Sequence, residues 1–119
     1  MDTTRLHTSI QKAFANLEFS PMDMAKNWVQ YTGTVDYVIN DLIYAISGQI
    51  DHMVTEDFGL SGWGHDYVRL GRTWMDPTAG VFTFVPTDAP DVTLTFAMTA
   101  AERACIDEMI QFVRDTVTD

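Results

Sequence analysis

The sequence predicts a single α+β domain over residues 1–119: three N-terminal helices, a three-stranded antiparallel β-meander and a C-terminal helix. Three observations carry this reading. Up to residue 58, apolar residues recur at the three- and four-residue spacing of a helix face. Between residues 81 and 98 they alternate instead, the period of a strand with one buried side. Thr99 and Glu102 then stand at the offset of a capping box, and helical spacing resumes.

Taken in order, residues 3–17 place Leu6, Ile10, Ala13, Phe14 and Leu17 on one helical face. Ser20-Pro21-Met22-Asp23 is a start signal, because Ser20 can cap and Pro21 suits the first helical position, where its missing N–H costs nothing. The helix that follows carries Met24, Ala25, Trp28 and Val29 and is expected to end near Gly33. The longest pattern spans 34–58, with Val35, Val38, Ile39, Leu42, Ile43, Ile46, Ile50 and Met53 on its buried side. Thr34 caps it, and Asp36 in its first turn suits the positive end of the helix dipole. Its opposite face reads Asp36, Asn40, Ser47, Asp51 and Thr55, an acidic strip expected to meet water or a partner. Gly48 weakens this helix by about 1 kcal/mol relative to Ala, so it either admits a neighbouring backbone or marks a bend.

Residues 59–64, GLSGWG, read as a connector, since their spacing is not that of a phosphate-binding loop and no Lys follows. Trp63 within it is a candidate anchor for a partner. Three strands are expected next. In 65–75, Val68, Leu70 and Trp74 share one parity; in 81–85, Phe82 and Phe84 do. In 91–98, Val92, Leu94, Phe96 and Met98 form the buried side, which makes Leu94→Asp an unfolding substitution. Both joins are rich in Pro, Asp, Thr and Gly, and such short joins favour an antiparallel meander. The last helix carries Ile106, Met109, Ile110, Val113 and Val117.

The chain holds 7 Lys and Arg against 17 Asp and Glu, a formal charge of −10. That balance opposes direct binding to nucleic acid, whose phosphates demand cations, and favours attraction to basic surfaces. The single cysteine, Cys105, excludes an internal disulfide and reads as a small core residue. No apolar run is long enough for a membrane span and the N-terminus is too polar for a signal peptide, so a cytoplasmic location is expected.

Motifs for chemistry are sparse. His52 and Glu56 are four apart, and Asp41 and His65 could join them around a metal, yet there is no HExxH and no His pair at helical spacing. No nucleophile sits in an elbow motif, and the adjacent acids Glu56-Asp57 and Asp107-Glu108 diverge on a helix. No catalytic set, cofactor or metal is therefore expected. The aromatics of the strand half, with Arg69 and Arg72 nearby, fit core and sheet packing better than base stacking. The charge map is the most specific feature. From Asn27 to Val68 there is no Lys or Arg, while Asp36, Asp41, Asp51, Glu56, Asp57 and Asp66 fall within that span. With Trp63, these acids are the expected contact residues of a protein-binding face. Carboxylates spaced loosely like phosphates suit an inhibitor or adaptor that occupies the basic groove of a nucleic-acid-handling protein, and a small acidic domain without catalytic motifs fits a phage or mobile-element origin. Two other classes stay open: a homo-oligomeric structural protein, a homodimer at its simplest, and a small ligand-binding or enzymatic domain built on the aromatic-rich sheet.

Overall fold

The computed structural model describes residues 2–30, 33–59 and 70–118. Its order is α1 (Thr3–Ala15), α2 (Pro21–Trp28), α3 (Val35–Asp57), β1 (Gly71–Asp76), β2 (Val81–Pro86), β3 (Leu94–Ala97) and α4 (Ala100–Thr116). The strands form one antiparallel sheet in the order β1-β2-β3, so the expected α+β meander is the observed fold.

Each helix starts where a side chain satisfies its first free N–H groups. The Asp2 carboxylate accepts from Thr4 N and Arg5 N at 3.0 and 3.2 Å, and the Ser20 hydroxyl accepts from Asp23 N at 3.1 Å. Thr34 Oγ1 accepts from Tyr37 N at 3.2 Å. At α4 the capping box is reciprocal: Thr99 Oγ1 accepts from Glu102 N at 3.1 Å, and Glu102 Oε1 accepts from Thr99 N at 2.8 Å. The first two helices stop earlier than their apolar spacing suggests, at Ala15 and Trp28.

One face of the sheet carries Met75, Phe82, Phe84 and Phe96 into a core shared with Leu6 and Ile10 of α1, the apolar side of α3, and Ile106, Met109 and Val113 of α4. Phe14 meets Phe82 edge-on at 6.0 Å, and His7 stacks on Phe96 at 5.0 Å. Gly80 closes the β1–β2 turn at φ +70°, a conformation that side-chain-bearing residues rarely adopt.

The strands depart from the sequence reading in two places. The described part of β1 begins at Gly71, and residues 65–69 lie outside the described residues. Its buried parity is Gly71, Thr73 and Met75, so Trp74 faces outward and is 43% exposed. The reason is charge: Arg72 and Asp76 share Trp74's parity, and neither enters a packed core unpaired. In β3 the expected parity holds, but burial fades toward the start of the strand. Phe96 and Met98 are buried, Leu94 is only partly so, and Val92 is 44% exposed. Phe96→Asp is therefore more damaging than Leu94→Asp.

The larger departure concerns α3. Ser47, Asp51 and Thr55, assigned to its solvent face, are buried. Successive rungs four residues apart rise about 6 Å along a helix, and alternate residues of a strand rise roughly 6.7 Å, so the two run nearly in step. Ser47 Oγ accepts from Met75 N at 3.2 Å, Asp51 accepts a short hydrogen bond from Thr73 N, and Thr55 Oγ1 takes a longer one from Leu70 N at 3.5 Å. Thr73 and Met75 alternate along β1, an outer strand whose second set of N–H groups has no strand to pair with among the described residues. The polar side of α3 closes that edge.

Gly48 lies beside this ladder on the exposed side of α3. Apart from its chain neighbours and the backbone of its own helix, no atom of the described residues lies within 4 Å of where its Cβ would be, and its φ is not positive. No backbone approaches it within the described chain. Gly48→Ala is expected to stabilise the protein by about 1 kcal/mol, measured by chemical denaturation.

Candidate functional site

Beyond the reach of β1, the polar side of α3 is open. Tyr37, Asp41, Tyr44 and Gly48 follow at four, three and four residues, one stripe along the helix. Tyr37 is 64% exposed and Tyr44 66%. Asp36 and Asn40 flank them, also exposed. Trp74 joins them from β1: it lines one groove with Tyr44 and Gly48 and another with Asp36 and Asn40.

The predicted acids fall into different environments. Asp36 is exposed and fits the expected strip. Asp41 is exposed but also structural, since its Oδ2 accepts from Trp28 Nε1 at 2.5 Å and ties α2 to α3. Asp51 is 7% exposed and committed to the β1 edge, so it does not belong to the exposed acidic strip. Glu56 is exposed and pairs with His52 at 2.8 Å. Asp57 is the one most opposed by cations. Lys12 Nζ sits 3.4 Å from its carboxylate, and Arg5 donates to its carbonyl at 3.2 Å while lying 4.0 Å over the Phe58 ring. The basic-free span of the sequence is thus answered at its end by cations arriving from α1. Trp63, His65 and Asp66 lie outside the described residues.

The Ser9 hydroxyl beside Asp57 lacks a partner in good geometry, yet it is the largest influence lowering that carboxyl below its ordinary 3.8. Partial burial pushes the other way, and the charges of Lys12 and Arg5 add to the lowering. The folded value lies below the unfolded one, so this contribution to stability is whole above 3.8 and is lost as pH falls through the folded value. The stability gap between wild type and Asp57→Asn should accordingly narrow as pH is lowered from roughly 6 to 3, followed by urea midpoints. A gap that widens on acidification would contradict this sign.

Cys105 is half-buried, and burial together with the nearby Glu108 raises its thiol pKa, which keeps it protonated and a poor nucleophile. Among the described residues, no three His, Cys, Asp or Glu side chains converge in a way that could hold a metal ion. No described helix is long and apolar enough to cross a membrane.

Comparison with protein families, with curated proteins and with solved structures returns no match to this chain.

The arrangement therefore speaks through its own chemistry. Sequence reasoning singled out Asp36, Asp41 and Glu56, which are exposed, and passed over Tyr37 and Tyr44, which are exposed as well. Their signal was present: both lie off the Val38–Leu42–Ile46 side of α3, where a tyrosine has no core to enter. Trp74 was legible in the same way, from the charges at Arg72 and Asp76.

Proposed function

We propose that this chain is a protein-binding domain, an inhibitor or adaptor that docks the open stripe of α3 on a basic surface of a partner that handles nucleic acid. The supporting observation is the composition of that stripe. Its charges are acidic, at Asp36 and Asp41, and its exposed apolar bulk is aromatic, at Tyr37, Tyr44 and the neighbouring Trp74. Tyrosine and tryptophan dominate binding hot spots, while rim carboxylates steer encounter with a cationic surface. The proposed contact set is Asp36, Tyr37, Asp41, Tyr44, Glu56 and Trp74, with Asp51 removed and Asp57 left to Lys12.

The test is kinetic, on the partner recovered at low salt. Neutralising Asp36 and Glu56 as Asn and Gln should slow association and flatten its salt dependence without changing the fold. Tyr44→Ala should instead speed dissociation, by about tenfold or more. Association that is equally fast in the neutral variant at every ionic strength would reduce the acids to solubilising charge.

A second reading, self-association, is favoured by the outer edge of β3. Met98 N bonds the Gly80 carbonyl, so by alternation Thr95 N and Ala97 N point away from β2, and no partner for either is found among the described residues. Residues 92–101 carry no charge. A monomer by sedimentation at high concentration would remove this reading.

A further inference from the structure

We propose that two copies of this chain pair through β3, antiparallel about a two-fold axis at Thr95, so that their sheets join into one sheet of six strands. The pairing rests on the self-association reading given above, names its surface and register, and leaves the open stripe of α3 free.

The edge has the donors for it. Met98 N donates to the Gly80 carbonyl at 2.9 Å, and Phe96 stands opposite Phe82, so the even-numbered residues of β3 turn their N–H groups toward β2. Thr95 and Ala97 turn theirs away, and their side chains are exposed on the outer face of the sheet. The opposite edge of the sheet is closed by α3 through Ser47 and Asp51. Among the described residues β3 is therefore the open edge, and strand pairing between identical chains brings β3 against β3. A contact of this kind is isologous and closes at two copies.

The side chains point to the same occupant. Val92 lies on the core side of the strand yet is 44% exposed, and Leu94 is only partly buried. With Thr95 facing its own copy, Leu94 stands across from Phe96 of the second copy, and Val92 across from its Met98, all on the core side. The apolar residues that the fold leaves half-covered thus gain apolar neighbours. Thr93 then faces Ala97 of the second copy, in position to exchange hydrogen bonds with it.

Charge permits the contact at this place. Each copy carries a formal charge of −10, so two copies meet only where like charges are not set against each other. Residues 92–101 carry no charge. Asp91 falls across from Thr99 of the second copy, the N-cap of α4, where the positive end of the helix dipole favours a carboxylate. A strand of another protein would find the same N–H row, but the cover for Val92 and the place for Asp91 come from this chain's own sequence. β3 is four residues long, and such a contact falls short of the roughly 1,200–2,000 Å² of stable complexes. The dimer accordingly forms as concentration rises, with a dissociation constant on the order of 1 mM or below.

Sedimentation equilibrium of the full chain up to about 1 mM should show the average mass rising from that of a monomer toward twice that value. The amides of Thr95 and Ala97 exchange quickly in dilute solution and should slow about twofold or more over the same range, while Thr73 and Met75 do not change. Thr95→Asp sets two carboxylates against each other on the axis and should stay monomeric while folded. Thr95→Pro deletes the outward N–H at a position that gives β2 no hydrogen bond, and should do the same. Tyr44→Ala, on the open stripe of α3, should dimerise like wild type. Added salt should tighten the dimer by screening two acidic copies from each other, the reverse of its effect on docking to a basic partner. A monomer at every concentration overturns the pairing and the self-association reading together. A dimer that leaves Thr95 and Ala97 unprotected, survives Thr95→Asp or weakens with salt overturns the pairing and keeps self-association through another face. A dimer lost in Tyr44→Ala and kept in Thr95→Asp moves that face to α3.

Discussion

Replacing Phe82 with alanine is expected to remove about 3–5 kcal/mol of stability, the largest loss of any single truncation in this chain. Phe82 is 0% exposed on the central strand, opposite Met75 on β1 and Phe96 on β3, and Phe14 of α1 meets its ring. Neighbours on both sides hold the space open, so the cavity cannot collapse and the cost exceeds simple transfer. Against a total of roughly 5–15 kcal/mol for a domain of this kind, such a loss brings the chain close to unfolding. The measurement is the urea midpoint at constant slope. A loss below about 1.5 kcal/mol would place Phe82 outside a packed core.

Asp51→Ala is expected to cost about 3 kcal/mol, although Asp51 lies on the polar side of its helix. The substitution strips the Thr73 N–H of its acceptor inside the fold, and a buried donor left unpaired costs more than a hydrogen bond is worth. Asp51→Asn retains a carbonyl oxygen at the same position and should cost about 1 kcal/mol or less. The contrast between the two separates an acceptor role from a packing role. Equal losses for both would show that the charge itself, rather than the acceptor, is required.

Most of the fold was legible because helix period, strand alternation and caps agreed with one another. Thr99 and Glu102 marked the last helix, Ser20 and Pro21 the second, and Phe82 with Phe84 the inner face of the central strand. The polar side of α3 was misread at Ser47, Asp51 and Thr55 for one reason. Helical period separates apolar from polar residues, and it does not say whether the polar ones meet water or another backbone. An edge strand carries a row of unsatisfied N–H groups, and polar side chains at four-residue spacing match that row. The alternation of β1 misled in a related way, because Trp74 is apolar yet shares its side of the strand with Arg72 and Asp76. The candidate site was half legible. Asp36 and Glu56 stood out by charge, whereas the partners of Asp41 and Asp57 arrive from Trp28 on α2 and Lys12 on α1, contacts that local spacing does not encode. The exposed Tyr37 and Tyr44 became a site only once Trp74 was placed beside them.

The division of α3 into a buried half that closes the sheet and an open, exposed half is tested most directly by amide hydrogen exchange. Thr73 N and Met75 N belong to an outer strand and would exchange fast if that edge were bare. With Asp51 and Ser47 as acceptors they are expected to be protected nearly as well as Phe82 and Phe84 in the central strand, while Thr95 and Ala97 on the opposite edge exchange quickly. Asp51→Ala should release Thr73 before Phe82. Exchange of Thr73 and Met75 as fast as that of Thr95 and Ala97 would contradict the ladder, and would return Asp51 to the exposed acidic strip.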